Sequence, residues 1–128
     1  MEVADVDVDK DDNVYVFNRG PYAAVMIFDK DGYYLDGWGK IGGRTETGYD
    51  FQGPHGLSVG PDGDVYTSDT RDHTVKRWTN DGKLLLTIGT PLISAPLHSG
   101  TPFNAPTHLT VASNGDFYVS DGYGNSHI

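Results

Sequence analysis

The chain has 128 residues, with nine Lys and Arg against eighteen Asp and Glu, which gives a formal net charge of −9. This length suits one small domain. The acidic balance disfavours binding to nucleic acid. No apolar run approaches the roughly 20 residues of a membrane-spanning helix. Seventeen Gly, seven Pro and an aromatic content of 12% predict short strands and tight turns, hence an all-β fold, while the absence of cysteine excludes disulfides and cysteine-based metal sites.

Three segments along the chain share one template. The stretches 6–18 (VDVDKDDNVYVFN), 57–69 (LSVGPDGDVYTSD) and 109–121 (LTVASNGDFYVSD) each alternate apolar and polar residues, turn at a cluster of Asp, Asn or Gly, and continue into an aromatic-rich run. They begin 51 and 52 residues apart. Each stretch predicts a strand, a tight turn and a second strand.

In the first two units the pattern continues through a third strand, a D-G turn and a fourth strand that ends at Trp38 or Ile88. Each complete unit is therefore a four-stranded antiparallel meander. The predicted division is a blade at 1–39, a loop at 40–53, a second blade at 54–89, a second loop at 90–105 and the first half of a third blade at 106–128.

A four-strand cassette repeated at a nearly constant period is typical of a β-propeller, whose blades bury one another's faces around a central axis. A β-sandwich also alternates, but it does not repeat such a cassette, so we predict a propeller. The chain holds about two and a half blades, fewer than the four to eight of a propeller, and we interpret it as a fragment. A short natural protein whose open blade faces self-associate to complete the ring is the alternative.

Two predicted blades start with a histidine near the central channel. His55 stands in P-H-G-L and His108 in P-T-H-L, each beside an innermost strand. An imidazole at such a mouth can bind a metal, and equivalent positions on several blades would converge on one ion. A single His is not a zinc cluster, however, and residue type alone favours a hydrogen bond from His55 to a loop carbonyl.

Arg19 and Tyr123 lie in loops that follow the second strands of the first and third units. These loops open on the same face as the start of each blade, so we expect His55, Arg19 and Tyr123 to share one mouth. There a guanidinium could hold a carboxylate, and a phenol could act as a base. A solvated turn Arg and a packing Tyr are the alternatives, and residue type alone favours them.

The acidic residues predict structural roles more than metal binding. The run Asp5, Asp7, Asp9, Asp11 and Asp12 lacks the D-x-D-x-D-G spacing and the later Glu of an EF-hand calcium loop, so we interpret most of these residues as solvated or turn carboxylates. Asp69 and Asp121 each end a second strand, and we expect them to anchor the blade loops by accepting backbone N–H bonds.

These repeats resemble NHL repeats, and three strings resemble the peptidyl-α-hydroxyglycine α-amidating lyases and their bacterial relatives. The strings are P-H-G-L-S-V at 54–59, P-T at 106–107 and V-S-D-G-Y-G-N-S at 119–126. The resemblance implies a six-bladed propeller that cleaves a peptidyl-α-hydroxyglycine into a peptide amide and glyoxylate, with a zinc ion held by three His from different blades. The ligand at the propeller mouth would then be a peptide or a small molecule.

The resemblance also implies roles for individual residues. His55 matches a zinc ligand, Tyr123 the catalytic Tyr, and Arg19, in N-R-G where the family has H-R-G, the Arg that assists at the substrate. Leu57 matches a position that binds a structural calcium through its main-chain oxygen. Zinc is thus the expected cofactor, with calcium as a second ion.

Several positions depart from the family pattern. The other two zinc-ligand His would belong to blades beyond Ile128, so we expect the 128 residues alone to be inactive. His108 is no substitute, since the family usually carries Asp at that position. Asn104 and Gly124 occupy the positions of a family disulfide, and His127 replaces an Arg. A non-catalytic NHL propeller that binds a peptide or protein is the alternative function, and a gluconolactonase-type propeller is a weaker one. The first twelve residues do not resemble a secretory signal, and the sequence leaves the localisation unknown.

Overall fold

A computed structural model describes residues 1–42, 44–45 and 48–128. These residues contain no helix, and hence none that is long and apolar enough to span a bilayer. The strands are β1 (Val3–Val8), β2 (Val14–Asn18), β3 (Val25–Phe28), β4 (Tyr34–Trp38), β5 (Arg44–Thr45), β6 (Gly48–Tyr49), β7 (Pro54–Val59), β8 (Val65–Asp69), β9 (Thr74–Trp78), β10 (Leu84–Ile88), β11 (His108–Val111) and β12 (Phe117–Ser120).

The strands form sheets in chain order. Strands β1 to β4 make one antiparallel four-stranded blade, and β7 to β10 make a second. Strands β11 and β12 pair as a hairpin that packs against β7 and β8, while β5 and β6 pair with each other in the loop between the first two blades. The all-β prediction is confirmed, and both fourth strands end at the predicted residues.

The first hairpin of each unit turns in the same way, although the turn residue changes. Asp12, Gly63 and Gly115 have φ angles of 63°, 86° and 90°. Each donates its backbone N–H to the carbonyl oxygen three residues earlier, at 2.9–3.1 Å. Gly adopts this left-handed conformation without steric cost, and Asp is one of the few other residues that tolerates it, so one template accommodates both sequences.

An aromatic cluster fills the space between the first and second blades. Phe51, from the loop before β7, is fully buried, and its ring centroid lies 5.1 Å from that of Phe17 and 5.2 Å from that of Trp78. Trp38 and Trp78, which end β4 and β9, lie 5.3 Å apart. Burying each such side chain contributes about 1.5–3 kcal/mol, so this cluster fixes how the two blades stack.

A second, smaller core lies between the second and third blades. Leu109 of β11 and Val75 of β9 are buried beside Tyr66, whose ring centroid lies 5.4 Å from that of Phe117. Burial raises the pKa of the Tyr66 hydroxyl. The hairpin β11–β12 thus joins the second blade through an apolar face, as the first blade does.

A polar side chain at the end of each second strand ties that strand to the chain segment that begins the blade. The Asp69 carboxylate is buried and accepts four backbone N–H bonds of 2.6–3.0 Å, from Gln52 and Gly53 before β7 and from Arg71 and Asp72 after β8. The predicted anchoring role of Asp69 is therefore confirmed.

The same position in the other units has the same function. Asp121 accepts the Asn104 N–H at 2.8 Å, which confirms the second predicted anchor. Asn18 accepts the backbone N–H groups of Glu2 at 2.9 Å and Gly20 at 3.1 Å. An amide therefore replaces the carboxylate in the first blade, because its oxygen is an equally suitable acceptor.

Two carboxylates of the acidic run join the first blade to the second. Asp5 accepts the Leu57 N–H at 2.9 Å, and Asp7 accepts the Val59 N–H at 2.8 Å. These bonds join the innermost strand of the first blade to the inner edge of β7, so neither carboxylate is merely solvated. Asp9 is a turn carboxylate, as expected.

We predict that Asp69→Ala lowers the free energy of unfolding by about 3 kcal/mol or more, because it leaves four backbone donors without their acceptor and each buried unpaired group costs about 1–3 kcal/mol. Chemical denaturation measures this change. Asp31→Ala is the matched control: that side chain is exposed in a turn, and its loss should cost under about 0.5 kcal/mol. Equal effects of the two substitutions would contradict the anchoring role.

Candidate functional site

The three residues expected at the mouth line one cavity of about 440 Å³. Arg19 comes from the loop after β2, His55 from the start of β7, and Tyr123 from the loop after β12. The structure therefore brings together side chains from three successive units.

His55 is held in one orientation. Its Nδ1 lies 2.6 Å from the carbonyl oxygen of Thr107, and its Nε2 lies 3.2 Å from the Tyr123 hydroxyl. A carbonyl only accepts, so Nδ1 must carry a proton, and in the neutral ring Nε2 keeps its lone pair. An imidazole whose Nδ1–H is fixed by a carbonyl is oriented for its Nε2 to bind a metal. The carbonyl bond favoured from residue type is thus present, and it directs Nε2 toward Tyr123.

Tyr123 stands over His55 with its ring nearly perpendicular, at a centroid distance of 5.5 Å. When the His55 ring is neutral, the Tyr123 hydroxyl donates to Nε2. The side chain is 72% exposed, so its ring is not packed into a core. This exposure allows the hydroxyl to move within the cavity.

Arg19 is tied to the second blade by one nitrogen. Its Nε donates to the Pro54 carbonyl at 2.7 Å, while its backbone N–H donates to the Glu2 carbonyl at 2.8 Å. The two terminal nitrogens of the guanidinium make no ion pair in the described part of the chain. They therefore remain available for an anionic ligand.

The backbone of Leu57 lies on the inner edge of the second blade, in strand β7. Its N–H points away from β8 and donates to Asp5. Because the N–H and C=O of one strand residue point to the same side, its carbonyl oxygen also faces the channel side. The Leu57 side chain, in contrast, is buried in the core.

His108 does not join the mouth cavity. Its Nδ1 lies 3.0 Å from Asp5 Oδ2, on the inner edge of the blades. Within the described ranges, no three His, Asp or Glu side chains are grouped so that they could hold a metal ion. His55 is thus a single candidate ligand.

Sequence reasoning missed two residues that line the same cavity, Gln52 and Arg71. Gln52 Nε2 is buried and has no hydrogen-bond partner, and it is the sole such side-chain atom among the described residues. A lone Gln and a lone Arg in separate loops form no pattern along the chain. Only the position of Gln52, three residues before His55, could have drawn attention to it.

Gly124 brings the Tyr123 loop against the start of the third blade. Its N–H donates to the Asn104 carbonyl at 3.0 Å, and a Cβ added at Gly124 would overlap the Asn104 side chain and lie 2.7 Å from that carbonyl oxygen. The two positions of the family disulfide are therefore in contact here without sulfur.

We predict that Gly124→Ala lowers the free energy of unfolding by about 1–3 kcal/mol, because the added methyl forces apart two backbone segments. Gly122→Ala in the same loop is the control, since its Cβ would meet mainly the Thr107 side chain at 3.0 Å and should cost less. Thermal or chemical denaturation ranks the two. A Gly124→Ala chain as stable as the control would contradict the close approach.

Comparison with known proteins agrees with this architecture. Residues 51–78 match the model of the NHL repeat. Peptidyl-alpha-hydroxyglycine alpha-amidating lyase 1 of Drosophila melanogaster is 41% identical over 81 residues, which are 61% of this chain and 14% of that protein. NHL repeat-containing protein 3 of Homo sapiens is 29% identical over 119 residues, or 87% of this chain and 32% of that protein.

The solved structure of a catalytically inactive virginiamycin B lyase from Staphylococcus aureus with quinupristin has a similar fold. Its TM-score is 0.61 at 18% identity, over 93% of this chain and 34% of that one. A streptogramin B lyase structure gives a TM-score of 0.60 at 14% identity, over 91% and 33%. At these identities the likeness concerns the fold alone.

The fold defines the class as a β-propeller, and within it residues 51–78 match the NHL repeat. Among proteins of that class, this chain resembles the peptidyl-α-hydroxyglycine α-amidating lyases, as its sequence predicts. It spans 14% to 32% of the length of the curated relatives described above. The number of blades in the complete ring stays a prediction.

Proposed function

We propose that this chain contributes part of the active site of a zinc-dependent peptidyl-α-hydroxyglycine α-amidating lyase. The substrate would be a peptide that ends in α-hydroxyglycine, and the products a peptide amide and glyoxylate. The proposal rests on one observation above all: His55 keeps an unprotonated Nε2 in the same cavity as the Tyr123 hydroxyl and the Arg19 guanidinium.

The donor chemistry at His55 fits one ligand of a zinc site. The described residues supply no further ligands beside it, so the proposal requires others from outside this chain, and we expect the chain alone to be inactive. Zinc, when bound there, would supply Lewis-acid polarisation of the substrate hydroxyl. Nε2 has one lone pair, so metal binding would displace the Tyr123 hydroxyl, which its exposure permits.

The chain's own residues account for the remaining requirements of the reaction. Arg19 would hold the substrate carboxylate through its two terminal nitrogens, a geometry that suits the planar guanidinium. Tyr123, after its own hydroxyl proton has passed to solvent through the open cavity, would accept the proton of the substrate hydroxyl. The O–H and Cα–N bonds then break, the C=O bond of glyoxylate forms, and the amide nitrogen takes up a proton, with no oxidant or reductant required.

We also propose that the Leu57 carbonyl contributes to a calcium site on the channel side of the blades. Calcium prefers oxygen ligands, backbone carbonyls among them. The support is the direction of that carbonyl, which the Leu57–Asp5 hydrogen bond fixes.

We predict that zinc added to the chain perturbs the His55 ring, and NMR of the imidazole signals measures this. His98 and His127 have ring nitrogens 3.2 Å apart and could compete as a pair, so the titration uses a His98→Ala background. In that background the His55 signals should respond at lower zinc concentration than those of His73 and His108. His55→Ala should abolish that response.

The chain's mass is measured in parallel, because tight and stoichiometric binding would require a second copy to supply ligands. Zinc that perturbs the other imidazoles and leaves His55 unchanged would contradict the proposal.

A further inference from the structure

One side of the mouth cavity carries polar groups that the proposed chemistry does not use. Arg71 and Gln52 both line the cavity, together with Arg19, His55 and Tyr123. Neither the Arg71 guanidinium nor Gln52 Nε2 has a partner within the described ranges. A buried amide N–H₂ without an acceptor is costly in a folded protein, so a rotation of the Gln52 side chain toward a ligand oxygen bound at Arg71 would be favourable.

The two residues are held in place by one buried group. Asp69 Oδ2 accepts the Gln52 N–H at 2.6 Å, and Asp69 Oδ1 accepts the Arg71 N–H at 3.0 Å. Gly53 lies between them: a Cβ there would come within 2.7 Å of Arg71 Cγ, so the arginine stem packs directly on this glycine. The anchor therefore fixes the relative positions of both backbones before any ligand binds, which lowers the entropic cost of binding.

Charge in the cavity is uneven. Arg71 and Arg19 are cationic, and Glu2 is the one carboxylate among the described lining residues. The Glu2 carbonyl accepts the Arg19 N–H, so Glu2 lies beside Arg19 in the cavity wall. Since the whole chain carries −9, long-range electrostatics would repel an anion, and selection for one must come from short-range contacts.

We propose that Arg71 and Gln52 form a subsite for an acidic side chain of the peptide ligand, so that the mouth selects peptides with Asp or Glu next to the terminal carboxylate. This inference rests on the proposed function, in which Arg19 takes that terminal carboxylate. The Arg71 guanidinium is a fixed cation that offers only donors, which matches a carboxylate better than an uncharged amide. The cavity volume lies within the range of small-ligand sites.

The test compares two nearly isosteric ligands, N-acetyl-Glu-Gly and N-acetyl-Gln-Gly, by NMR titration of the chain without metal. Both carry the terminal carboxylate, and they differ only in the charge of the side chain. We expect the Glu ligand to bind about fivefold more tightly, the upper range for a solvent-exposed ion pair. Arg71→Gln should reduce that ratio to about one, while Arg71→Lys should retain part of it.

Two further variants separate this subsite from its surroundings. Arg19→Gln should weaken both ligands by the same factor and leave their ratio unchanged. Lys83→Gln removes one exposed positive charge away from the cavity and should change neither affinity nor ratio.

Equal affinities in the unaltered chain, a ratio that survives Arg71→Gln, or no binding of either ligand would overturn the inference. The outcomes also separate the subsite from the lyase proposal. A ratio that depends on Arg71, together with a His55 ring that zinc does not perturb, would support the subsite and contradict the zinc chemistry. A His55 that responds to zinc without any Glu preference would contradict the subsite alone.

Discussion

The geometry of the mouth depends on one buried carboxylate that gathers backbone N–H groups. Asp69 binds two donors before β7 and two after β8, so it fixes the segment that begins the second blade against the loop that ends its second strand. His55 follows the first segment, and Arg71 belongs to the second. The positions of both cavity residues therefore derive from the same four hydrogen bonds.

The repeat places an equivalent anchor in each unit, and this explains why side chains from three blades converge. Asn18 precedes Arg19, and Asp121 lies two residues before Tyr123. Arg19 and Tyr123 thus each follow the anchor residue of their own blade. The aromatic and apolar cores between the blades set the angle from one unit to the next. Two of the three anchors are carboxylates, which act as acceptors for backbone N–H groups.

The sequence predicted what depends on local pattern. The fourth strands end at Trp38 and Ile88 because alternation and D-G turns are properties of short segments. Asp69 could be predicted as an anchor because its position after an aromatic strand repeats in Asp121. The shared cavity of Arg19 and Tyr123 followed from the topology of a meander, in which alternate loops open on the same face.

What the sequence could not predict arises between segments that are far apart in the chain. Alternation showed that Asp5 and Asp7 share one side of β1, but not that β7 offers unpaired N–H groups across from them. Gln52 and Arg71 line one cavity, and Asp69 accepts a backbone N–H from each of them. The orientation of His55 likewise depends on a carbonyl of the next blade, which no feature near His55 encodes.

The account's central claim is that His55 presents an unprotonated Nε2 to the cavity, and the ring tautomer tests it most directly. Nitrogen-15 NMR of the imidazole distinguishes the two neutral tautomers at a pH above that at which the ring is charged. The hydrogen bond to Thr107 predicts the Nδ1–H form, with a nuclear Overhauser effect between the His55 and Tyr123 rings. A predominant Nε2–H form would contradict it, because the nitrogen assigned to the metal would then carry a proton.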